Sequence, residues 1–161
     1  MGREIARRLA EKLDKVERAV GAPQSSQYSS LLLPWRLPCC KSFQLHPFSD
    51  APEFGYGTVS NLRRETCDGL VNCSFIIAKC LTAPRQYVSV PKFELQAATI
   101  ATRFHSMIIR EIDLNISSTF FWTNCQIMLQ YIRNEARRFK TYVANRVCEI
   151  RQVSEPSQWR H

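Results

Sequence analysis

The period of apolar positions changes several times along the chain. Between residues 3 and 20, Ile5, Leu9, Leu13, Val16 and Val20 recur at helical intervals, and Gly21 follows. That spacing predicts an amphipathic helix with a glycine stop. Arg, Lys, Glu and Asp share its other faces, so it reads as a solvated helix or a seam for a partner helix rather than a basic membrane-surface helix. APQSSQYSS (22–30) is a polar linker, and LLLPWRLPCC (31–40) is an apolar stretch that two prolines keep irregular. Alternation then takes over. SFQLHPFSD (42–50), YGTVSNLRR (56–64) and GLVNCSFIIAKC (69–80) read as three strands, the last two joined by a turn at residues 65–68.

Pro91 opens a helix of roughly residues 91–112, with Phe93, Ala97, Ala101, Phe104 and Ile108 on one stripe. STFFWT (118–123) reads as a fourth strand, followed by a helix from Cys125 to about Arg133. A further helix covers about 139–153 with Phe139, Val143, Val147 and Ile150 inward, and residues 157–161 begin a fifth strand. The order β-β-β-α-β-α-α-(β) predicts an α/β fold: an antiparallel three-strand meander, then parallel βα units on one mixed sheet. The chain divides into an amphipathic helical extension (1–21), a linker and pre-domain segment (22–41) and an α/β domain (42–161).

Composition narrows the function classes. With 45% hydrophobic and 22% charged residues among 161, the chain is globular in character. No apolar run approaches the roughly 20 residues that span a bilayer, so no membrane role is expected. The charged N-terminus reads as neither secretory signal nor transit peptide. A formal charge of +8 favours polyanionic partners. Seven cysteines without a signal peptide or a CxxC pair predict reduced thiols in the cytosol or nucleus, and no zinc site. The two Asn-x-Ser matches, at Asn72 and Asn115, then read as chance.

Three positions stand where this order mounts chemistry. Asp50 ends the first strand, Glu94 lies near the start of the long helix, and Asn124 follows the fourth strand. If the first and fourth strands are neighbours, Asp50 and Asn124 meet, and Glu94 points between them. Ala97, Ala98 and Ala101 let that helix approach the sheet closely. Each residue also has an ordinary reading: Asp50 as a turn residue, Glu94 as a first-turn acid on the helix dipole, Asn124 as a helix N-cap. Asp68 and Asp113 fall in a turn and at the far end of the helix, out of reach of this site.

The stretches HPFSDAPEFGYGTVSNLR, SVPKFELQAATIATR, FFWTNCQIMLQYIRNEARRFKTYVANRVCEIR and SEPSQWRH, in this order over about residues 44–161, resemble the ribonuclease H domain of BEL/Pao-type retroelement polyproteins. The resemblance implies phosphodiester hydrolysis in RNA–DNA hybrids by two Mg²⁺ ions about 3.5–4 Å apart, held by several carboxylates. It implies that Asp50 bridges the ions and Glu94 ligates one of them. At position 124 the family pattern is Thr-Asp-Ser, whereas this chain has Thr123-Asn124-Cys125. Asn124 is therefore a degenerate ligand position. The family's fourth acid lies beyond the Trp-Arg-His motif at which this sequence ends, so the fifth strand reads as cut short.

Arg133, Arg137, Arg138 and Lys140, with Arg146 and Arg151 beyond them, surround the last two helices. They suit the phosphate backbones of an RNA–DNA hybrid or another duplex, or an ordinary solvated face. Three functions follow as alternatives. The first is a ribonuclease H-like domain with impaired hydrolysis and residual hybrid binding. The second is a weakly active nuclease using Mg²⁺ or Mn²⁺. The third is a non-catalytic interaction module working through residues 3–20.

Overall fold

The computed structural model describes residues 40–52, 55–82, 90–134 and 139–161. The expectations for residues 1–39, and for Arg137 and Arg138, lie outside them. The described elements run β1 (Cys40–Asp50), β2 (Gly55–Thr66), β3 (Val71–Thr82), α1 (Val90–Glu111), β4 (Ile116–Thr119), β5 (Phe121–Thr123), α2 (Gln126–Arg133), α3 (Thr141–Val153), a 3₁₀ turn (Pro156–Gln158) and β6 (Trp159–Arg160). The sheet order is β3-β2-β1-β5-β6, with β4 also paired to β1. The predicted α/β fold, a meander followed by parallel βα units, is the one observed.

Alternation makes the meander. β1 pairs antiparallel with β2 from Cys40 opposite Thr66 to Asp50 opposite Gly57. The β2–β3 turn closes with Gly69 in the left-handed region, where a side chain would be strained. Gly57 is required for another reason: a Cβ there would lie 2.6 Å from the Lys79 carbonyl oxygen. The predicted fourth strand is interrupted at Phe120, whose N–H still donates to the Leu45 carbonyl at 3.0 Å. Alternation survives the interruption: Thr119, Phe121 and Thr123 are buried, while Phe120 and Trp122 are only partly so.

All three described α-helices serve one face of this sheet. Leu95, Ala98 and Ala101 of α1 pack with Phe121, Met128, Leu129, Ile132, Val147, Ile150 and Trp159 in the main core cluster. Trp159 stacks on Phe121 with centroids 4.7 Å apart and donates its indole N–H to Ser154 Oγ at 2.9 Å. A smaller cluster joins Leu45, Ile77 and Ile108. Val147 and Ile150 face inward as expected, and Val143 packs partly against the core. Phe139 precedes α3 instead of opening it, because Lys140 holds an extended backbone with ψ of 148°.

The expectation of reduced thiols fails at Cys67, in the β2–β3 turn, which is disulfide-bonded. Its partner is none of the described cysteines, of which Cys73, Cys80, Cys125 and Cys148 are free thiols.

Two histidines are held neutral by the packing. His105 places its ring 5.3 Å from Phe121, bonds Thr119 Oγ1 through Nε2 at 3.1 Å, and leaves a buried Nδ1 without a partner. Burial lowers its pKa; burial, and then the Arg63 charge, lowers that of His46. Folded-state pKa values below the unfolded ones mean that the unfolded chain binds more protons. The histidine contribution to stability is therefore full above about pH 6.5 and declines as pH falls below it. His105→Gln should shift the difference in thermal stability between about pH 7.5 and about pH 5.5 in favour of the lower pH. An unchanged difference in that variant would place the histidine acid sensitivity elsewhere.

Candidate active site

The site forms where β1 and β5 end side by side. Ser49 lies opposite Thr123 in a parallel pair, so Asp50 and Asn124 leave the sheet together. Side-chain bonds to the backbone fix the ends: Ser49 Oγ donates to the Trp122 carbonyl at 3.2 Å, and Thr58 Oγ1 to the Phe48 carbonyl at 2.6 Å. Asn124 Nδ2 then donates to Asp50 Oδ1 at 2.8 Å, and the Ala51 N–H donates to the same oxygen at 2.9 Å.

Asn124 is therefore not the helix cap that its type suggests. The residue before α2 is Cys125, which makes no side-chain cap bond, and the Cys125 N–H is taken by Thr123 Oγ1 at 3.1 Å. With that amide satisfied, the Asn124 side chain turns across to the carboxylate.

Glu94 comes down on the pair from α1. It is the fifth residue of the helix, just past the first turn, so the dipole reading weakens. The alanines allow its approach: Ala97 and Ala98 have no exposed surface and Ala101 has 1%. The carboxyl is buried and its Oε2 has no hydrogen-bond partner. Burial and then the Asp50 charge push its pKa up to about 7, against a smaller opposing effect of the Ala51 backbone N–H.

The structure thus brings Asp50, Glu94 and Asn124 together. Asp68 and Asp113 stay away: one sits at the far end of the meander, the other beyond the far end of α1. Two facing carboxylates, one with an orphaned buried oxygen, suit a single hard divalent cation. They do not suit a pair of ions, whose four positive charges would face two carboxylates and an amide turned donor-first. Among the described residues no group of three or more His, Cys, Asp or Glu side chains could hold a metal.

One neighbour was not legible from the sequence. β6 runs parallel to β5 with Trp122 opposite Arg160, and this carries His161 to the site, where Nε2 lies 3.2 Å from the Asn124 carbonyl oxygen. Only the register of a two-residue strand places it there.

Much of the basic run is occupied within the fold. Arg133 donates to the Trp159 carbonyl at 3.3 Å, and Arg151 caps the end of α2 through the Ile132 and Asn134 carbonyls. Arg146 and Arg103 share Glu149. Lys140 is exposed, at the start of α3. Tyr142 is exposed, donates to Gln96 Oε1 at 3.1 Å and lies under the Arg146 guanidinium.

Two outcomes follow for stability. The folded pKa of Glu94 lies above its unfolded value, so its contribution is present below about pH 4.5 and is lost as pH rises through about 7. Glu94→Gln should remove this loss, which melts on either side of pH 7 would register. Asn124→Asp replaces a donor by a third carboxylate. Without divalent ions it should destabilise the chain by about 1–3 kcal/mol, and Mg²⁺ should restore stability more in this variant than in the chain as it stands. Equal melts in chelator and Mg²⁺ for both proteins would refute that reading.

The family model described as the Pao retrotransposon-like RNaseH-like domain matches residues 3–125. The match includes Asp50, Glu94 and Asn124, and it extends upstream of the stretches on which the sequence resemblance rests. No curated protein sequence matches the chain. Among solved structures, the chain is similar to RNase H1 from the halophilic archaeon Halobacterium salinarum, with TM-score 0.43 and 9% identity over 68% of this chain and 76% of that one. It is similar also to LC11-RNase H1 in complex with an RNA/DNA hybrid, with TM-score 0.43 and 7% identity over 73% and 81%. The family assignment rests on the sequence match and not on these distant likenesses. With a model of that family matching most of its length, the chain belongs to the Pao retrotransposon-like RNaseH-like domain family.

Proposed function

We propose that this domain binds RNA–DNA hybrid and hydrolyses it poorly or not at all. The observation that carries the reading is the 2.8 Å bond from Asn124 Nδ2 to Asp50 Oδ1. At the position where the family resemblance implies a third carboxylate, this chain presents a neutral amide. That amide spends a donor on one oxygen that a metal would need.

Asp50 and Glu94 are the residues that would hold a divalent ion. When bound, such an ion activates water for attack on the phosphodiester and stabilises the leaving oxygen. The chain's own residues set the geometry. β1 and β5 align Asp50 with position 124, α1 delivers Glu94 into a dry position, and Ser49 and Thr58 hold the strand ends. Asn124 lowers the negative charge of the site and so its hold on divalent ions. The exposed Lys140, with Arg137 and Arg138 near it in sequence, supplies cationic contacts to phosphates, which follow the shape of the hybrid and not its sequence.

The second reading, weak metal-dependent cleavage, is favoured by the unpartnered Glu94 oxygen beside Asp50, which keeps a place for one ion. Mn²⁺, less demanding of ideal geometry than Mg²⁺, would then serve better.

Cleavage of a labelled RNA–DNA hybrid in Mg²⁺ and in Mn²⁺ separates the two. The chain as it stands should be at least ~100-fold slower than Asn124→Asp, in line with what a disturbed metal site loses. Adding Glu94→Gln to that variant should abolish the gain. Cleavage by the unaltered chain that Glu94→Gln removes would make it an active nuclease. Hybrid binding should weaken with salt, and Lys140→Ala should reduce the salt slope by about 1.

A further inference from the structure

A chain of polar side chains crosses the sheet beside the site. The Trp122 indole N–H lies 3.1 Å from His46 Nδ1. An indole N–H only donates, so Nδ1 accepts and the ring proton of neutral His46 sits on Nε2. That nitrogen lies 3.4 Å from Gln44 Oε1, which also accepts from Arg63 at 3.3 Å. The His46 ring stacks on Trp122 at 6.2 Å and lies 5.6 Å from Phe120. Only the neutral ring fits here. A second proton on Nδ1 sets donor against donor at the indole, and the added charge is met by cations. Burial and then Arg63 on β2 lower the pKa of the ring, and Arg160 on β6 lies over Phe120. β4 and β5 carry no charged residue, and Asn61 lies opposite His46 on β2. The acids on β1 and β2 are engaged, Glu65 by Lys41 and Arg63, and Asp50 Oδ1 by Ala51 and Asn124.

The same tryptophan fixes the end of β5. This strand has three residues and pairs with β1 at two positions, Trp122 opposite Phe48 and Thr123 opposite Ser49. Trp122 is held to β1 by its indole N–H on His46, by its carbonyl under Ser49 Oγ, and by its ring on Phe48, with centroids 5.8 Å apart. Asn124 follows two residues later, so the alignment that Trp122 sets is the one that carries the Asn124 amide to Asp50. We infer that His46 is a positioning residue for the site: its neutral ring holds Trp122, and through it the β1–β5 alignment, while protonation of the ring releases both. His46 acts through the strand and not on the carboxylates. This alignment does not depend on whether the site binds a hybrid or cleaves it.

Nitrogen–proton NMR spectra of the full chain read both ends of this linkage, the Trp122 indole N–H and the Asn124 side-chain amide. Trp122→Phe and Asn124→Ala assign the two signals. Glu94→Gln serves as the parent protein, so that the Glu94 carboxyl does not titrate in the same range. Between about pH 7.5 and about pH 5, both signals should move together with one midpoint below about pH 6.5. The amide should move upfield as its bond to Asp50 is lost. His46→Gln supplies an acceptor that does not titrate, and both signals should then keep their neutral-pH positions down to about pH 5. His46→Phe removes the acceptor and should hold both signals at their low-pH positions throughout. An Asn124 signal that stays in place while the indole moves would overturn the inference, as would a His46→Gln protein that titrates like its parent. If a His46 variant does not fold, the parent series decides. A midpoint shared by the indole, the amide and the His46 ring C–H signals sustains the coupling, and separate midpoints refute it.

Discussion

The parallel pairing of β1 with β4 and β5 is the constraint on which the remaining architecture rests. Two parallel neighbours cannot be joined by a tight turn, so the chain must cross over, and it does so through β2, β3 and the 22-residue α1. The crossover helix lies directly on β1, and a bulky residue at Ala97, Ala98 or Ala101 would lift it away. Close approach of α1 and side-by-side ends of β1 and β5 are thus two results of one packing arrangement. Together they gather three residues that lie 44 and 30 positions apart in sequence (50 to 94, 94 to 124).

What the arrangement gathers is an electrostatic imbalance only partly relieved. Asp50 takes two donors on one oxygen, whereas Glu94 is buried with an oxygen that nothing satisfies. Burial of the Glu94 carboxyl, and then the Asp50 charge beside it, push Glu94 towards neutrality. Asn124 stabilises the pair in the absence of a cation by supplying a donor where a third acid would have added repulsion. On the proposed reading, the amide at position 124 favours the ion-free fold and disfavours ion binding.

The described helices form one layer with its own logic. α1, α2 and α3 share a core whose largest members, Phe121 and Trp159, come from neighbouring strands of the sheet. Leu95, Met128, Leu129, Ile132, Val147 and Ile150 surround these rings, while aromatic residues, Phe48, Phe75 and Trp122, lie on the opposite face. Arg151, in a basic run that suits either phosphate backbones or an ordinary solvated face, bonds the Ile132 carbonyl within the fold. Net charge read from a sequence counts side chains, and cannot tell those that bind a partner from those that bind the fold.

Periodicity by itself determined the meander, the long helix and the place of the strand-to-helix turn at Asn124, because alternation and helical stripes are local properties of the backbone. Element ends moved by about one or two residues, as with Phe139, where an extended backbone at Lys140 delayed the helix. The resemblance of its motifs placed Asp50, Glu94 and Asn124 on one site. Tertiary structure decided the rest. Asn124 bonds Asp50 instead of capping α2, because Thr123 reaches the free N–H first. His161 arrives at the site through the register of β6, and Cys67 is disulfide-bonded. Each of these depends on which strands become neighbours, a long-range outcome of packing that no local pattern encodes.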